Sequence, residues 1–179
     1  MALTREQVLD ATLRLAEERG LEGVSMRSVA GRLGVTPMAL YRHVGDKQGL
    51  LDGLVERLLD ELPLPEPGGP WEQRLLGLAG GLRSIARRHP DAFLMLLRRP
   101  AATPAALRRR DAVYAALQDA GVPAELVPRA ERLLSTFIIG FAASEGGGRF
   151  DPVEPDELDA DLLWAFQHAL EPLLRSLST

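Results

Sequence analysis

In this chain of 179 residues, the side chains best placed to do chemistry lie between Ser25 and Lys47. Arg27, Arg32, Arg42 and Lys47 stand there against a single acid, Asp46, whereas the whole chain carries a formal charge of −4 and has a pI near 5.4. The first 60 residues hold 8 bases and 9 acids, so positive charge is gathered in one short stretch rather than spread. A chain of this balance is not a polycation that coats nucleic acid; any contact with phosphate must be local. The chemistry these residues offer is recognition of phosphates and base edges, not bond making. Signals for catalysis are weak. There is no cysteine, which excludes disulfides and thiolate chemistry, and His43, His89 and His168 are isolated. No Gly-x-Ser-x-Gly elbow and no glycine-rich phosphate loop is present. Six acids between Asp151 and Asp161 lack the spacing of a calcium loop and read as a solvated loop and helix start. Arg108, Arg109 and Arg110 read as a solvated face. No enzymatic activity, metal or cofactor is expected.

The elements that must position these residues are helices. Leu and Ala together number 56 against 13 for Val and Ile, which favours helix over sheet. Thr4, with Gln7 three residues on, has the spacing of a capping box for a helix to Arg19, stopped by Gly20. Ser25 caps a second helix, Met26 to Leu33, ended by Gly34. Thr36 caps a third, Pro37 to Val44, with proline at its first position, where a missing N–H costs nothing. Gly45 and Asp46 break and recap the chain before a helix from Lys47 to about Leu62. Two short helices joined by Gly34-Val35 have the layout of a helix-turn-helix, whose second helix enters the major groove. The helix starts at Ser25 and Thr36 also offer free backbone N–H groups to phosphates.

Pro63 to Pro70 contains four prolines and two glycines and reads as a linker. It divides the chain into residues 1–62 and 63–179, an all-α protein of about nine helices. Downstream helices are expected from Trp71 to His89, Ala92 to Arg99 (capped by Asp91 and stopped by Pro100), Pro104 to Ala120, and from a start between Pro123 and Pro128 to about Glu145. A last helix opens near Pro155, with Leu158, Leu162, Ala165, Phe166, Ala169, Leu173 and Leu177 inward and a kink or end at Pro172. The longest uncharged apolar run, Leu133 to Ser144, is twelve residues, short of the roughly 20 that a membrane span needs. Met1 to Asp10 lacks the apolar centre of a signal peptide. A cytoplasmic location and no membrane partner are expected.

Residues Arg5 to Leu62 resemble the DNA-binding domain of the tetracycline-repressor (TetR) family of bacterial transcription regulators. The resemblance rests on ATLRLAEERG (11–20), VSMRSVA (24–30), LGVT (33–36), ALYRHV (39–44) and Asp46-Lys47, with correct spacing and no gap. It implies a homodimeric repressor that binds a palindromic operator in double-stranded DNA and lets go when its larger domain takes a small apolar effector. By position it implies phosphate contacts from Tyr41 and Lys47. It also implies base-edge or backbone contacts from Arg27, Pro37, Met38, Arg42 and His43, with Leu40 and Val44 as core. Met38-Ala39 departs from the family by offering no hydrogen-bonding side chain. Readout then leans on Arg27, Arg42 and contact with thymine methyls.

In the second part, Leu133 to Ala143 is apolar around its whole circumference and needs cover on all sides. This predicts a two-fold interface through Ile139, Gly140, Ala143, Leu162, Phe166, Ala169 and Leu173, a four-helix bundle made by two subunits. Phe93 to Leu97 is likewise apolar all round and must be enclosed. A ligand site is expected there, walled by Phe93, Met95, Tyr114, Phe137 and Phe141, with His89, Arg98, Tyr114, Ser144 and Glu145 as polar groups. Two other readings stand: a DNA-binding activator or architectural protein with no small ligand, and a helical carrier or enzyme with a vestigial motif.

Overall fold

A computed structural model of the protein describes residues 3–99 and 103–177. Among these residues the backbone forms eleven α-helical segments and no strand, the all-α class expected. Pro100, the expected stop of one helix, lies outside the described residues.

Helix α1 (Arg5–Arg19) opens on Thr4. Its hydroxyl accepts from the Gln7 N–H at 3.2 Å while the Gln7 side chain accepts from the Thr4 N–H at 3.0 Å. Ser25 and Ser28 form the same reciprocal cap at the start of α2 (Met26–Leu33). Gly34 then takes φ 66°, a conformation costly for other L-residues, and this turns the chain into α3 (Pro37–Val44). Thr36 sits at the expected start of α3, but its side chain caps nothing. The Ala39 N–H that it would have served donates instead to the Thr36 carbonyl at 3.0 Å. Asp46 caps α4 (Lys47–Asp60) through the Gly49 N–H at 2.9 Å. Helix α4 ends at Asp60, a little before the expected Leu62.

Beyond the proline-rich stretch come α5 (Trp71–Arg88), α6 (Pro90–Phe93), α7 (Met95–Arg98), α8 (Pro104–Asp119) and α9 (Val127–Gly146). Helices α10 (Pro155–Ala165) and α11 (Glu171–Ser176) follow, joined by a π turn over Phe166–Leu170. Asp91 does not cap the first short helix. Pro90 takes its first position, so the helix begins two residues earlier, and a break at Leu94 separates α6 from α7. The apolar run here is only partly enclosed: Phe93 and Met95 are buried, whereas Leu97 is 52% exposed. The π turn accommodates Pro172, whose ring cannot pack against the carbonyl four residues back in an unbroken α-helix. It shifts the helical register by one. Leu174 therefore turns inward, and Leu173 and Ala169, expected inward, face solvent.

Two apolar cores result. The first joins Val8, Leu15, Leu40, Leu54 and Leu58 from α1, α3 and α4 to Ile85, Phe93 and Ala142 from α5, α6 and α9. The second holds Leu75, Leu117, Leu134, Leu162 and Phe166. Helices α5 and α9 cross closely at Gly146, where a Cβ would lie 2.5 Å from the Ala86 carbonyl oxygen. The ring of Phe93 is wholly buried in the first core. Phe93→Ala is expected to destabilise the protein by about 3–5 kcal/mol, read by urea unfolding.

Candidate nucleic-acid interface and cavity

Helices α2 and α3 and the start of α4 present one surface. Leu40 and Val44 hold α3 to the core by its inner face. The outer face is left to solvent: Met38 is 70% exposed and Tyr41 46%, and Thr36, Pro37 and Arg42 are exposed beside them. Ala39 and His43 are half-buried, and Ser25 is half-buried with its hydroxyl engaged in the cap of α2. Arg27 and Lys47 are exposed on the flanking helices.

Arg27, Arg42 and Lys47 are the cations of this surface that the fold leaves unpaired. Among the described residues these three make no ion pair or hydrogen bond. Arg32, read with them from the sequence, instead donates to Glu18 on α1 and holds that carboxyl below its usual range. Arg5 binds Glu56 at 2.7 Å and Arg57 binds Asp10 at 2.7 Å, tying α1 to α4. Arginines that hold the fold are thus neutralised within it; of the unpaired cations of this unit, Arg14 and Arg19 lie on α1, and Arg27, Arg42 and Lys47 lie on the surface of α2, α3 and the start of α4.

The residues expected to form a ligand site are not brought together. Phe93 and Met95 lie inside the first core. His89 joins α1 to the end of α4, its Nδ1 2.5 Å from Glu17 and its Nε2 3.2 Å from Glu61. Phe137 lies against Phe141, which packs on Phe150 and under the Arg83 guanidinium. Tyr114 lies beneath Arg110, Arg98 is exposed and Ser144 is half-buried. Glu145 is a structural partner. It accepts from Arg83 at 2.6 and 2.9 Å and from Arg87 at 3.1 Å, and Asp159 completes the set on Arg83. Burial opposes the charge of Arg83, but its bonds to Glu145 and Asp159 outweigh that and hold its proton more tightly than usual.

An apolar cavity of ≈ 150 Å³ lies elsewhere, between α4, α5, α7, α8 and α9, and a second of ≈ 200 Å³ lies between α9 and α11, against Leu126, Leu134 and Leu174. In the first, helix α4 and its exit supply Val55, Leu59 and Leu62, and α5 supplies Leu78 and Leu82. None of the nine residues expected for a ligand lines it; Ile139, expected at a subunit interface, does. Arg109, read from the sequence as solvated, is buried in its wall, because α8 turns this residue toward α4 and its guanidinium reaches the Leu62 carbonyl. The signal in the sequence was an arginine interrupting the apolar stripe Ala105, Ala106, Val113, Ala116 and Leu117.

The residues expected at a subunit interface also divide. Leu162 and Phe166 belong to the second core, and Ile139 and Ala143 pack against the first. Gly140 has open space where a Cβ would be, and Ala169 and Leu173 are exposed. Helix α9 is not covered all round: Leu133 is 60% exposed and Phe137 36%, in line with Gly140. Trp164, 62% exposed and stacked on His168, lies on α10. Among the described residues no helix is long and apolar enough to cross a membrane.

A helix-turn-helix with an unneutralised outer face, built on a larger helical bundle with an apolar cavity, defines the class. Family models confirm it. Residues 8–54 match "Bacterial regulatory proteins, tetR family", and residues 62–178 match "Tetracyclin repressor-like, C-terminal domain". The chain belongs to the TetR family. An HTH-type transcriptional regulator of Saccharopolyspora erythraea is 34% identical over 144 residues, 80% of this chain and 61% of that one. The tetracycline repressor protein class A from transposon 1721 of Escherichia coli is 32% identical over 173 residues, 94% of this chain and 76% of that one. The chain therefore spans less than two thirds of the Saccharopolyspora regulator's length. The crystal structure of the Streptomyces coelicolor TetR family protein ActR in complex with actinorhodin superposes with a TM-score of 0.76 at 28% identity, covering all of this chain and 86% of that one.

Removal of Glu145 strands a buried guanidinium. Glu145→Ala is expected to cost about 3 kcal/mol, the low end for a broken buried pair because Asp159 stays on Arg83. Arg27→Ala and Arg42→Ala touch no partner and should change stability by less than about 0.5 kcal/mol in the same thermal or urea unfolding measurement.

Proposed function

We propose that the protein is a dimeric transcriptional repressor of the cytoplasm, whose α3 helices read a palindromic operator and which a small ligand in the α4–α9 cavity releases from DNA. The observation that carries this reading is the unpaired set Arg27, Arg42 and Lys47 around an α3 whose outer face is exposed. Cations kept free of internal partners are available to phosphates and bases, and phosphate contacts supply most of the affinity of such a complex. Met38, the most exposed large apolar side chain of this unit, suits a thymine methyl in the major groove. Tyr41 and Lys47 serve the backbone. The family relatives support repression: one is named a tetracycline repressor, and another, from Streptomyces coeruleorubidus, an HTH-type transcriptional repressor.

Dimerisation is supported by an apolar surface that the subunit leaves bare. Leu133, Phe137 and Gly140 on α9 and Trp164, Ala169 and Leu173 on α10 to α11 form the patch that two copies of this helix pair would cover. A two-fold axis there sets two α3 helices about one turn of DNA apart.

Two measurements test the reading. With operator DNA selected from a random pool, Arg27→Ala and Arg42→Ala are each expected to weaken binding by about 1–3 kcal/mol. Lys47→Ala should weaken all sequences alike and lower the salt slope by about one. Wild-type affinities from all three variants would remove α2 and α3 from the interface. Separately, Leu133→Glu with Phe137→Glu should sediment as a folded monomer at micromolar concentration. Substitutions at Ile139 or Phe141 would instead disturb the subunit's own packing. A wild-type chain that is itself monomeric contradicts the dimer.

A further inference from the structure

The chemistry of the cavity wall says more about its occupant than its shape does. The inference rests on the reading of this cavity as the effector site and extends it to the ligand's charge. Three guanidinium groups line the cavity, Arg99, Arg109 and Arg110, against one carboxylate, Glu131. Arg99 is spent on α4: it donates to Asp52 at 2.6 Å and to the side chain and carbonyl of Gln48 at 2.7 and 3.2 Å. Arg109 is different. It is only 9% exposed, yet its hydrogen bonds go to neutral carbonyls, from Nε and Nη2 to Leu62 at 3.2 and 2.7 Å and from Nη1 to Ala105 at 3.0 Å. The nearest carboxylate oxygen, on Asp60, is 3.9 Å away, beyond hydrogen bonding.

The other buried arginines are not left in this state. Arg83 has two carboxylates bonded to it and Arg74 has Asp119. Burying a cation is costly unless a counter-charge is bonded to it. Arg109 alone of the three lacks one, and burial draws its guanidinium below the ordinary arginine value. Guanidinium carries five N–H donors, and the bonds to Leu62 and Ala105 use one on each nitrogen, so each Nη keeps one donor. Arg110, one residue on, has its side chain 46% exposed and so stands at the cavity mouth. Its head lies over Tyr114 with only a distant Asp111 at 4.0 Å. Beside these cations the walls are aliphatic: Val55, Leu59, Leu78, Leu82, Val113 and Ile139.

We propose that the cavity takes a compact apolar molecule bearing one carboxylate, whose charge is bound by Arg109 and Arg110. The carboxylate supplies the hydrogen-bonded counter-charge that Asp60, 3.9 Å away, does not, through charge-assisted bonds to the spare Nη donors. The apolar body replaces water along the leucine and valine walls. The volume of ≈ 150 Å³ suits a body of about one aromatic ring, since a cavity of that size holds benzene. Glu131, with no ion-pair partner among the described residues, also lines the cavity and disfavours a second negative group.

The test is a calorimetric titration of the full chain, without DNA, by three probes that share one body: 3-phenylpropionate, 3-phenylpropionamide and 3-phenylpropylamine. The acid is expected to bind at least about tenfold more tightly than the amide, and the amine more weakly than both. Arg109→Met should lose at least about tenfold for the acid and leave the amide within about twofold. Arg110 is exposed and touches only the Tyr114 ring and a distant Asp111, so Arg110→Gln tests the same point should Arg109→Met fail to fold; it should cost the acid several-fold. Equal binding of acid and amide, tightest binding of the amine, acid affinity unchanged in both variants, or no saturable binding of the acid at millimolar concentration would each overturn the proposal. A neutral compound that releases operator DNA would overturn the charge selection while leaving the effector reading in place. Tight acid binding with no effect on DNA would do the reverse.

Discussion

Everything in this molecule depends on one apolar core that does not stop at the end of the helix-turn-helix unit. Phe93 is wholly buried among side chains that include Val8 and Leu15 of α1 and Leu54 and Leu58 of α4. Cores are close-packed, so helices that share one move as a body or repack in discrete steps; they do not slide freely. The proline-rich stretch from Pro63 to Pro70 joins the two parts in sequence, but the side chains of α5, α6 and α9 join them in space. His89 adds a polar clasp at the same seam, reaching Glu17 on α1 and Glu61 just past α4.

Helix α4 is the element in which the two tasks meet. Its first residue, Lys47, belongs to the surface proposed to meet DNA, and Val55 and Leu59 two or three turns later belong to the cavity wall. Fourteen residues of helix span about 21 Å. Its far end is held by Arg109, whose guanidinium grips the Leu62 carbonyl, and its flank by Arg99 on Asp52. A ligand can change DNA affinity only through its preference for one arrangement of these helices. An occupant that draws on Arg109 acts at the point where α8 holds α4, so the coupling needs no long relay.

The helical plan was legible in the sequence wherever a cap, a stop and a periodic face agreed. Thr4 with Gln7, Ser25 with Gly34, and Asp46 all cap as their spacing implied. The outward face of α3 was legible too, because Leu40 and Val44 could be assigned inward and the remaining residues had nowhere else to go. The cavity was not legible. Aromatic side chains suggested its walls, but Phe93 fills a core and Phe141 packs on Phe150; the walls are leucines and valines indistinguishable in sequence from ordinary core. Arg109 reads as one charge of three in a row, and only the rotation of α8 shows which of them is buried. Pairing of Arg83 with Glu145, across 62 positions, has no local signature at all. The π turn before Pro172 moved Leu173 outward by a register shift of one residue, smaller than periodicity can resolve.

The central claim is that the helix-turn-helix unit and the cavity-bearing bundle form one cooperative unit through the shared core. Native-state hydrogen exchange measures this most directly, through the opening free energies of buried amides in α3 and α4 against those in α5 and α9. The account predicts that the slowest amides of Leu40, Leu54 and Leu58 open with the same free energy, and the same denaturant dependence, as those of Ile85 and Ala142. Amides of α1 to α4 that exchange through a separate opening several kcal/mol below that of the bundle would contradict it.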